Sequence, residues 1–477
     1  MKFVSTRGHA PAVTISEAIR NGAGPDGGLY VPAEDVAVEL GSLLSDHFVP
    51  RRRPGSSGTG GEAGSRPSPG HELAQSGLGV ADLGDDLPGL AAALLAPFFR
   101  GDPLESAMPA ICAEAFDFPI PLVAPDPDDA HLRALELFHG PTGAFKDFGA
   151  RFLMACFDWL GVEREPLTVL AATSGDTGGA VGCAAEGRHS VRALILYPRG
   201  RVSPFQRLQL GCWRAPVTAL EVEGDFDDCQ RLVKAAFADP DLAGPHRLTS
   251  ANSINVGRLL PQMVYLAAAA LRIRRETGVA PGFVIPTGNL GHAVAALWAR
   301  GLGLPIGPVV AVTNANRTLS NWHRSGAYEP RPAIATIANA MDVGAPSNFE
   351  RLARLPDAAA QLLSVEWIED EAIRARIVAE HQRTGYVWDP HGATAAEAYA
   401  RLDPARRGER VWIAAATAHP FKFAEEVEPL IGGKIAPPPA LAAILDRASQ
   451  ARRIPATIEA LAGALADMPA EQKASAA

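Results

Sequence analysis

Lys146 lies in the run HGPTGAFKDFGARF, residues 139 to 152, between Phe145 and Asp147-Phe148-Gly149. An amine in aromatic, partly apolar surroundings loses proton affinity through desolvation. It then becomes a better nucleophile and base, which is what condensation with an aldehyde requires. The competing reading is a surface lysine paired with Asp147. Only six of the 44 basic residues are lysine: Lys2, Lys146, Lys234, Lys422, Lys434 and Lys473. Arginine serves most surface roles but cannot readily lose its proton, so a lysine in this setting stands out.

Two glycine loops follow short apolar runs. Thr287-Gly288-Asn289-Leu290-Gly291, followed by His292, leads from Phe283–Pro286 into a helical pattern. Close backbone approach and a helix N-terminus suit a phosphate there. No Gly-Lys-Ser/Thr follows and the G-x-G-x-x-G spacing is absent, so it is neither a P-loop nor a dinucleotide fingerprint. A plain tight turn is the alternative. The other loop, Ser174-Gly175-Asp176-Thr177-Gly178-Gly179, offers amides and hydroxyls suited to a carboxylate. Its alternative is a helix start capped by Asp176 or Ser174.

Asn252, Ser253, Asn255 and Arg258 head a further helix and suit a phosphoester, or form a capped helix with an exposed arginine. Thr417, after the last apolar run, could meet a ring nitrogen. His419 beside it reads most simply as a satisfied, half-buried histidine. His292 and His391 form no ligand set, no His-x-x-x-His pair occurs, and no metal is expected. No G-x-S-x-G elbow is present, against an α/β hydrolase.

These loops need strands to aim them. Apolar runs at Leu167–Ala172, Val191–Tyr197, Phe283–Pro286, Val309–Thr313 and Val411–Ala416 alternate with helical patterns. Such alternation predicts a mostly parallel sheet covered on both faces. Helices are predicted at Leu87–Phe99, Phe226–Ala238, Leu259–Thr277 and Glu369–Thr384. Thirteen of the twenty residues from 51 to 70 are Gly, Ser or Pro. They have nothing to bury, so 51–78 reads as a flexible insertion, and deleting residues 54 to 70 is expected to spare turnover.

The 477 residues are 47% hydrophobic and 20% charged, with net charge −9. This supports a large core and disfavours nucleic acid as a partner. No apolar run reaches the ~20 residues of a membrane span, and no secretory signal is visible. Cys112, Cys156, Cys183, Cys212 and Cys229 are odd in number and lack Cys-x-x-Cys, which fits a cytoplasmic setting.

In this order the motifs resemble the threonine synthase family. The matching runs are STRG from Ser5, PDGGLYVP from Pro25, AFDFPIPL from Ala115 and HGPTGAFKDFGARF from His139. They continue with TSGDTGGAV from Thr173, NSINVGRLLPQ from Asn252, PTGNLG from Pro286 and NAMDVGAPSNFERL from Asn339. DPHGATA from Asp389 and TAHPFKF from Thr417 complete the set. The likeness spans residues 1 to about 425. It implies an α/β pyridoxal-phosphate enzyme of the tryptophan synthase β-like fold, with two open, mostly parallel sheets flanked by helices plus an N-terminal segment. The expected division is 1–100 for the N-terminal segment, 101–150 with 246–435 for a large cofactor-binding domain, 151–245 for a smaller mobile domain, and 436–477 for a C-terminal helical tail.

The resemblance also implies roles. Lys146 would hold pyridoxal 5'-phosphate as a Schiff base and act as the catalytic base. Gly288, Asn289, Leu290, Gly291 and His292 would hold its phosphate, and Thr417 its ring nitrogen. Ser174, Gly175, Asp176 and Thr177 would take the substrate carboxylate. Asn252, Ser253, Asn255 and Arg258 would take the substrate phosphate. The implied reaction turns O-phospho-L-homoserine and water into L-threonine and phosphate, by γ-elimination and β-addition of water. The family pattern has an acid where His292 stands, and it lacks the insertion after residue 50. A threonine or serine dehydratase, a phospho-amino-acid lyase and a non-catalytic sensor are the rival readings. Oligomeric state stays open between monomer and homodimer.

Overall fold

The computed structural model describes residues 1–33, 86–161, 166–355 and 361–468. The segment 51–78, read as an insertion, lies outside them. The strands in chain order are β1 (Phe3–Ser5), β2 (Tyr30–Pro32), β3 (Leu122–Val123), β4 (Leu132–Glu136), β5 (Leu167–Ala172), β6 (Val191–Pro198) and β7 (Val217–Glu223). Then follow β8 (Leu248–Ser250), β9 (Gly282–Pro286), β10 (Val309–Thr313), β11 (Leu363–Trp367), β12 (Trp412–Ala416) and β13 (Arg452–Pro455).

They form two main sheets and a small ribbon. The larger sheet runs β11-β10-β9-β12-β4-β3, parallel except for the antiparallel edge pair β3–β4. The smaller runs β13-β7-β6-β5-β8 and is parallel throughout. β1 and β2 pair antiparallel near the N-terminus. Every residue of β5, β9, β10 and β12 is buried, as expected of parallel strands with helices on both faces. No described helix is long and apolar enough to cross a membrane.

Three expectations need correction. The helix expected at Leu259–Thr277 is broken into Val256–Leu259 and Gln262–Thr277. Pro261 lies at the break, where it lacks an N–H and crowds the preceding turn. The segment 436–477, expected to be a helical tail, contributes β13, which pairs with β7 at the edge of the smaller sheet. Its helix Ile458–Ala466 then places Leu461 and Leu465 in one apolar cluster with Leu232 and Val233 of the helix Phe226–Ala238. β8, within the range assigned to the larger domain, is hydrogen-bonded to β5 of the smaller sheet. Four residues with a single buried apolar side chain carry no readable strand pattern, so β13 was invisible locally.

Candidate active site

Lys146 opens the helix Lys146–Gly161. The turn before it is zipped to the end of β12: Phe145 N donates to Thr417 O at 2.9 Å, and His419 N to Gly143 O at 2.9 Å. This brings Lys146 and Thr417 into one wall. Gly149, one turn into the helix, lies flush against Arg258, since a Cβ there would come within 2.9 Å of Arg258 Nε and O. Asp147 does not pair with Lys146, because its carboxylate accepts Thr142 N at 2.9 Å and Thr142 Oγ1 at 2.5 Å. Lys146 is therefore no solvated surface lysine. Its side chain is 15% exposed, its Nζ lies 5.5 Å from the Phe145 ring centre, and burial lowers its proton affinity.

The glycine loop after β9 faces it. Leu290 adopts φ 66°, a left-handed conformation uncommon outside glycine, and the helix Gly291–Gly301 starts there. The N–H groups of Gly288, Asn289, Leu290, Gly291 and His292 have no acceptor among the described residues. Five free donors at a helix N-terminus form an anion cradle. His292 stacks on Phe145 at 4.9 Å, and burial drives its pKa down to about 3. Neither of its ring nitrogens has a hydrogen-bond partner among the described residues.

In the second loop, Thr173 does the capping expected of Asp176 or Ser174. Its Oγ1 accepts Gly175 N at 2.9 Å and Gly178 N at 3.0 Å. Gly175 sits at φ 143°, where a Cβ would strike the Gln206 side chain at 2.4 Å. With Gly175 N engaged, the amides of Asp176 and Thr177 stay free among the described residues. The Asp176 side chain is not free. It accepts from Gln206 Nε2 at 3.1 Å and meets Lys422 Nζ at 3.0 Å. Burial alone would raise its pKa, but Lys422 and Lys146 outweigh that and hold it well below the usual carboxylate range.

The asparagines of the NSIN run divide differently from expectation. Asn255 caps the helix Val256–Leu259, donates to Ile19 O and Ser250 O, and does not line the cavity. Asn252 clamps Ala172 through both atoms of its amide. Ser253 and Arg258 do reach the cavity. Arg258 bonds Ala251 O, leaves its Nε unpartnered, and is brought down by burial to about 10. His419 accepts Phe421 N and is half-buried, as its simpler reading has it.

Lys146, Ser174, Asp176, Thr177, Asn252, Ser253, Arg258, Gly288 to His292 and Thr417 thus line one cavity of about 100 Å³ between the sheets. Ser174 also borders an outer cleft of about 540 Å³. Sequence reasoning missed Lys422, Gln206 and His391 as site residues. Lys422 was signalled by the rarity of lysine. His391 lines the cavity wall, its Nδ1 on Asp389 at 2.7 Å and its Nε2 accepting Ala340 N at 3.2 Å.

A family model described as pyridoxal-phosphate dependent enzyme matches residues 127–416. Models of the threonine synthase N terminus and C-terminal part match 2–42 and 392–464, so the likeness runs past residue 425. The chain is 35% identical to the threonine synthase of Serratia marcescens, over 98% of its own length and 100% of that protein's. It is 34% identical to that of Escherichia coli K12, over 97% and 98%. The crystal structure of threonine synthase from Escherichia coli superposes with a TM-score of 0.82 at 31% identity, covering 98% and 100% of the two chains. The PLP-bound threonine synthase from Brucella melitensis gives 0.81 at 32%, covering 98% of each. The chain belongs to the threonine synthase family of pyridoxal-phosphate-dependent enzymes.

Proposed function

We propose that Lys146 carries the cofactor for this chain's threonine synthase reaction, which converts O-phospho-L-homoserine and water into L-threonine and phosphate. One observation supports this above the rest. An amine with no hydrogen-bond partner among the described residues shares a cavity with five backbone donors unused among them and the Thr417 hydroxyl. Pyridoxal 5'-phosphate, when bound, supplies an electron sink for carbanions at Cα and Cβ of the substrate. The amides of Gly288 to His292 would hold its phosphate, and Thr417 its ring nitrogen. A hydroxyl there is a weaker charge partner than a carboxylate, which suits elimination and replacement.

The free amides of Asp176 and Thr177, with the Ser174 and Thr177 hydroxyls, take the substrate carboxylate. The Asp176 side chain, already ion-paired, takes no part in that contact. Arg258 and the Ser253 hydroxyl serve the departing phosphate. Asn252 and Asn255 hold the loop in place and touch no ligand. The amine of Lys146, released by the substrate, removes the Cα proton and later works at Cβ. The smaller-sheet unit closes on the substrate, and the outer cleft is the room it takes up. The five cysteines are unpaired, which supports a cytoplasmic setting.

The test is incubation with pyridoxal phosphate and O-phospho-L-homoserine, with the products separated by chromatography. Threonine and phosphate should appear in equal amounts, and Lys146→Ala should abolish both. A product mixture dominated by 2-oxobutanoate and ammonia would favour a dehydratase or lyase instead.

A further inference from the structure

Two buried lysines share one carboxylate. Asp176 Oδ1 lies 3.0 Å from Lys422 Nζ, and Asp176 Oδ2 lies 3.8 Å from Lys146 Nζ. The two amines are not equivalent. Lys422 Nζ also donates to Thr142 O and Gln209 Oε1, each at 2.8 Å. Three acceptors use all three hydrogens of an ammonium, so Lys422 is fixed as a cation with no lone pair to offer. Among the described residues, the one polar contact of Lys146 Nζ is that at 3.8 Å, beyond hydrogen-bond reach.

The carboxylate is held as firmly. Gln206 Nε2 donates to Asp176 Oδ1, while Gln206 Oε1 accepts from Ser203 N at 3.1 Å and Asn339 Nδ2 at 2.9 Å. Gln206 and Gln209 both belong to the helix Pro204–Gly211, so one helix orients the acid and the second lysine together.

A lone buried carboxylate beside an amine would favour the ammonium form. Here that charge is already matched, at shorter distance, by Lys422. We propose that Lys422 is a positioning residue for the reaction: by holding and neutralising Asp176 it denies Lys146 a full counter-ion and keeps that amine uncharged and nucleophilic. This rests on the reading that Lys146 carries the cofactor. Asp176 is faced by Lys422, Lys146 and His391, and Lys146 by Asp176, Lys422 and Arg258. Asp147, on the helix of Lys146, faces Lys422 and Arg151 and is tied to Thr142. Of the charges around Lys146, Asp176 favours the ammonium while Lys422 and Arg258 oppose it. Removing Lys422 and removing Asp176 should therefore act in opposite directions.

The experiment follows the absorbance of the Lys146-bound cofactor against pH in the holoenzyme and in its K422M, D176N and K422R variants. The midpoint should rise by about one pH unit in K422M and fall by about one in D176N. It should stay within ~0.3 unit in K422R, which keeps the charge. In cofactor-free protein, the pH dependence of Lys146 acylation by an anhydride, read by peptide mass, should order the variants identically. Coincident midpoints for wild type and K422M, or a shift of K422M and D176N in the same direction, would overturn the proposal. Where K422M fails to fold, K422Q takes its place: a raised midpoint supports the proposal and an unchanged one defeats it. Borohydride reduction followed by peptide mapping separates the two claims. Cofactor found on another lysine would remove the parent reading first.

Discussion

The side-chain amide of Asn348 donates to the carbonyl of Asn289 at 2.9 Å, and its backbone N–H reaches the same oxygen at 3.3 Å. That amide also donates to Ser253 Oγ at 3.1 Å, while its oxygen accepts from Arg351 Nη1 at 2.6 Å. Arg351 is fully buried and donates onward to the carbonyls of Tyr30, Ser253 and Ile254. One asparagine therefore fixes the loop after β9 against the NSIN loop, with the N-terminal segment tied in behind it.

Asn348→Ala leaves the Arg351 guanidinium one acceptor short in a buried site. Unpaired buried groups of this kind cost about 1–3 kcal/mol, so the urea midpoint should fall accordingly. The five loop amides also lose their brace. The Kd for pyridoxal phosphate should rise by about tenfold, equal to 1.4 kcal/mol. Titration of intrinsic fluorescence by the cofactor measures this, and an unchanged Kd would show that the loop holds its shape unaided.

Leu290 makes a separate test of the same loop. It is 1% exposed and left-handed, so its side chain packs while its backbone is strained. Leu290→Ile keeps the volume but puts a β-branch where φ is positive, which costs about 1–3 kcal/mol. Leu297→Ile, buried in the same helix at ordinary φ, is the control and should cost less than ~1.5 kcal/mol. Equal losses in the two variants would mean that backbone conformation at Leu290 contributes nothing.

Much of this arrangement is legible in the sequence. β5 and β10 fall on the expected residues because parallel strands buried on both faces are short unbroken apolar runs. The helix Phe226–Ala238 was readable for a different reason, its regular amphipathic spacing after Asp225. What stayed hidden depends on distant partners. β13 is a strand only because β7 pairs with it. Asn252 and Asn255 have side chains that suit a ligand or a cap equally well, and only contacts with Ala172, Ile19 and Ser250 decide between them. Lys422 is one of only six lysines, but its meaning lies in Asp176, Thr142 and Gln209, which the chain brings from three other segments.

His292 predicts a pH dependence of stability. Its pKa is lowered from 6.5 to about 3 by burial, with no partner for either ring nitrogen among the described residues. The unfolded chain therefore takes up a proton that the folded chain refuses. Stability from this group is complete above pH 6.5 and is lost as pH falls from there toward 3. At pH 5 the loss is about 2 kcal/mol. His419, lowered to about 4, adds a slope of the same sign, so the comparison must be made by substitution. His292→Phe keeps a ring against Phe145 and cannot titrate. Between pH 7.5 and 5 its unfolding free energy from urea titration should fall less than that of wild type by the stated amount. Parallel falls would place the acid sensitivity elsewhere.

The C-terminal segment gives the last prediction. Leu461 is fully buried, and it shares a cluster with Leu232 and Val233 beneath the smaller sheet. Truncating a leucine so placed removes its transfer energy and leaves a cavity, for a cost of about 2–5 kcal/mol. A frayed terminal helix would instead register within about 0.5 kcal/mol, as surface substitutions do. Leu461→Ala therefore separates a tail from an integral layer by its urea midpoint alone. The kcat/KM of the folded fraction should hardly change, because Leu461 lines neither the inner cavity nor the outer cleft. A loss of turnover without a loss of stability would instead mean that the β13 edge acts on the helix carrying Gln206 and Gln209. The route for that exists, since Gln450 N, two residues before β13, donates to Gly211 O at 2.8 Å at the end of that helix.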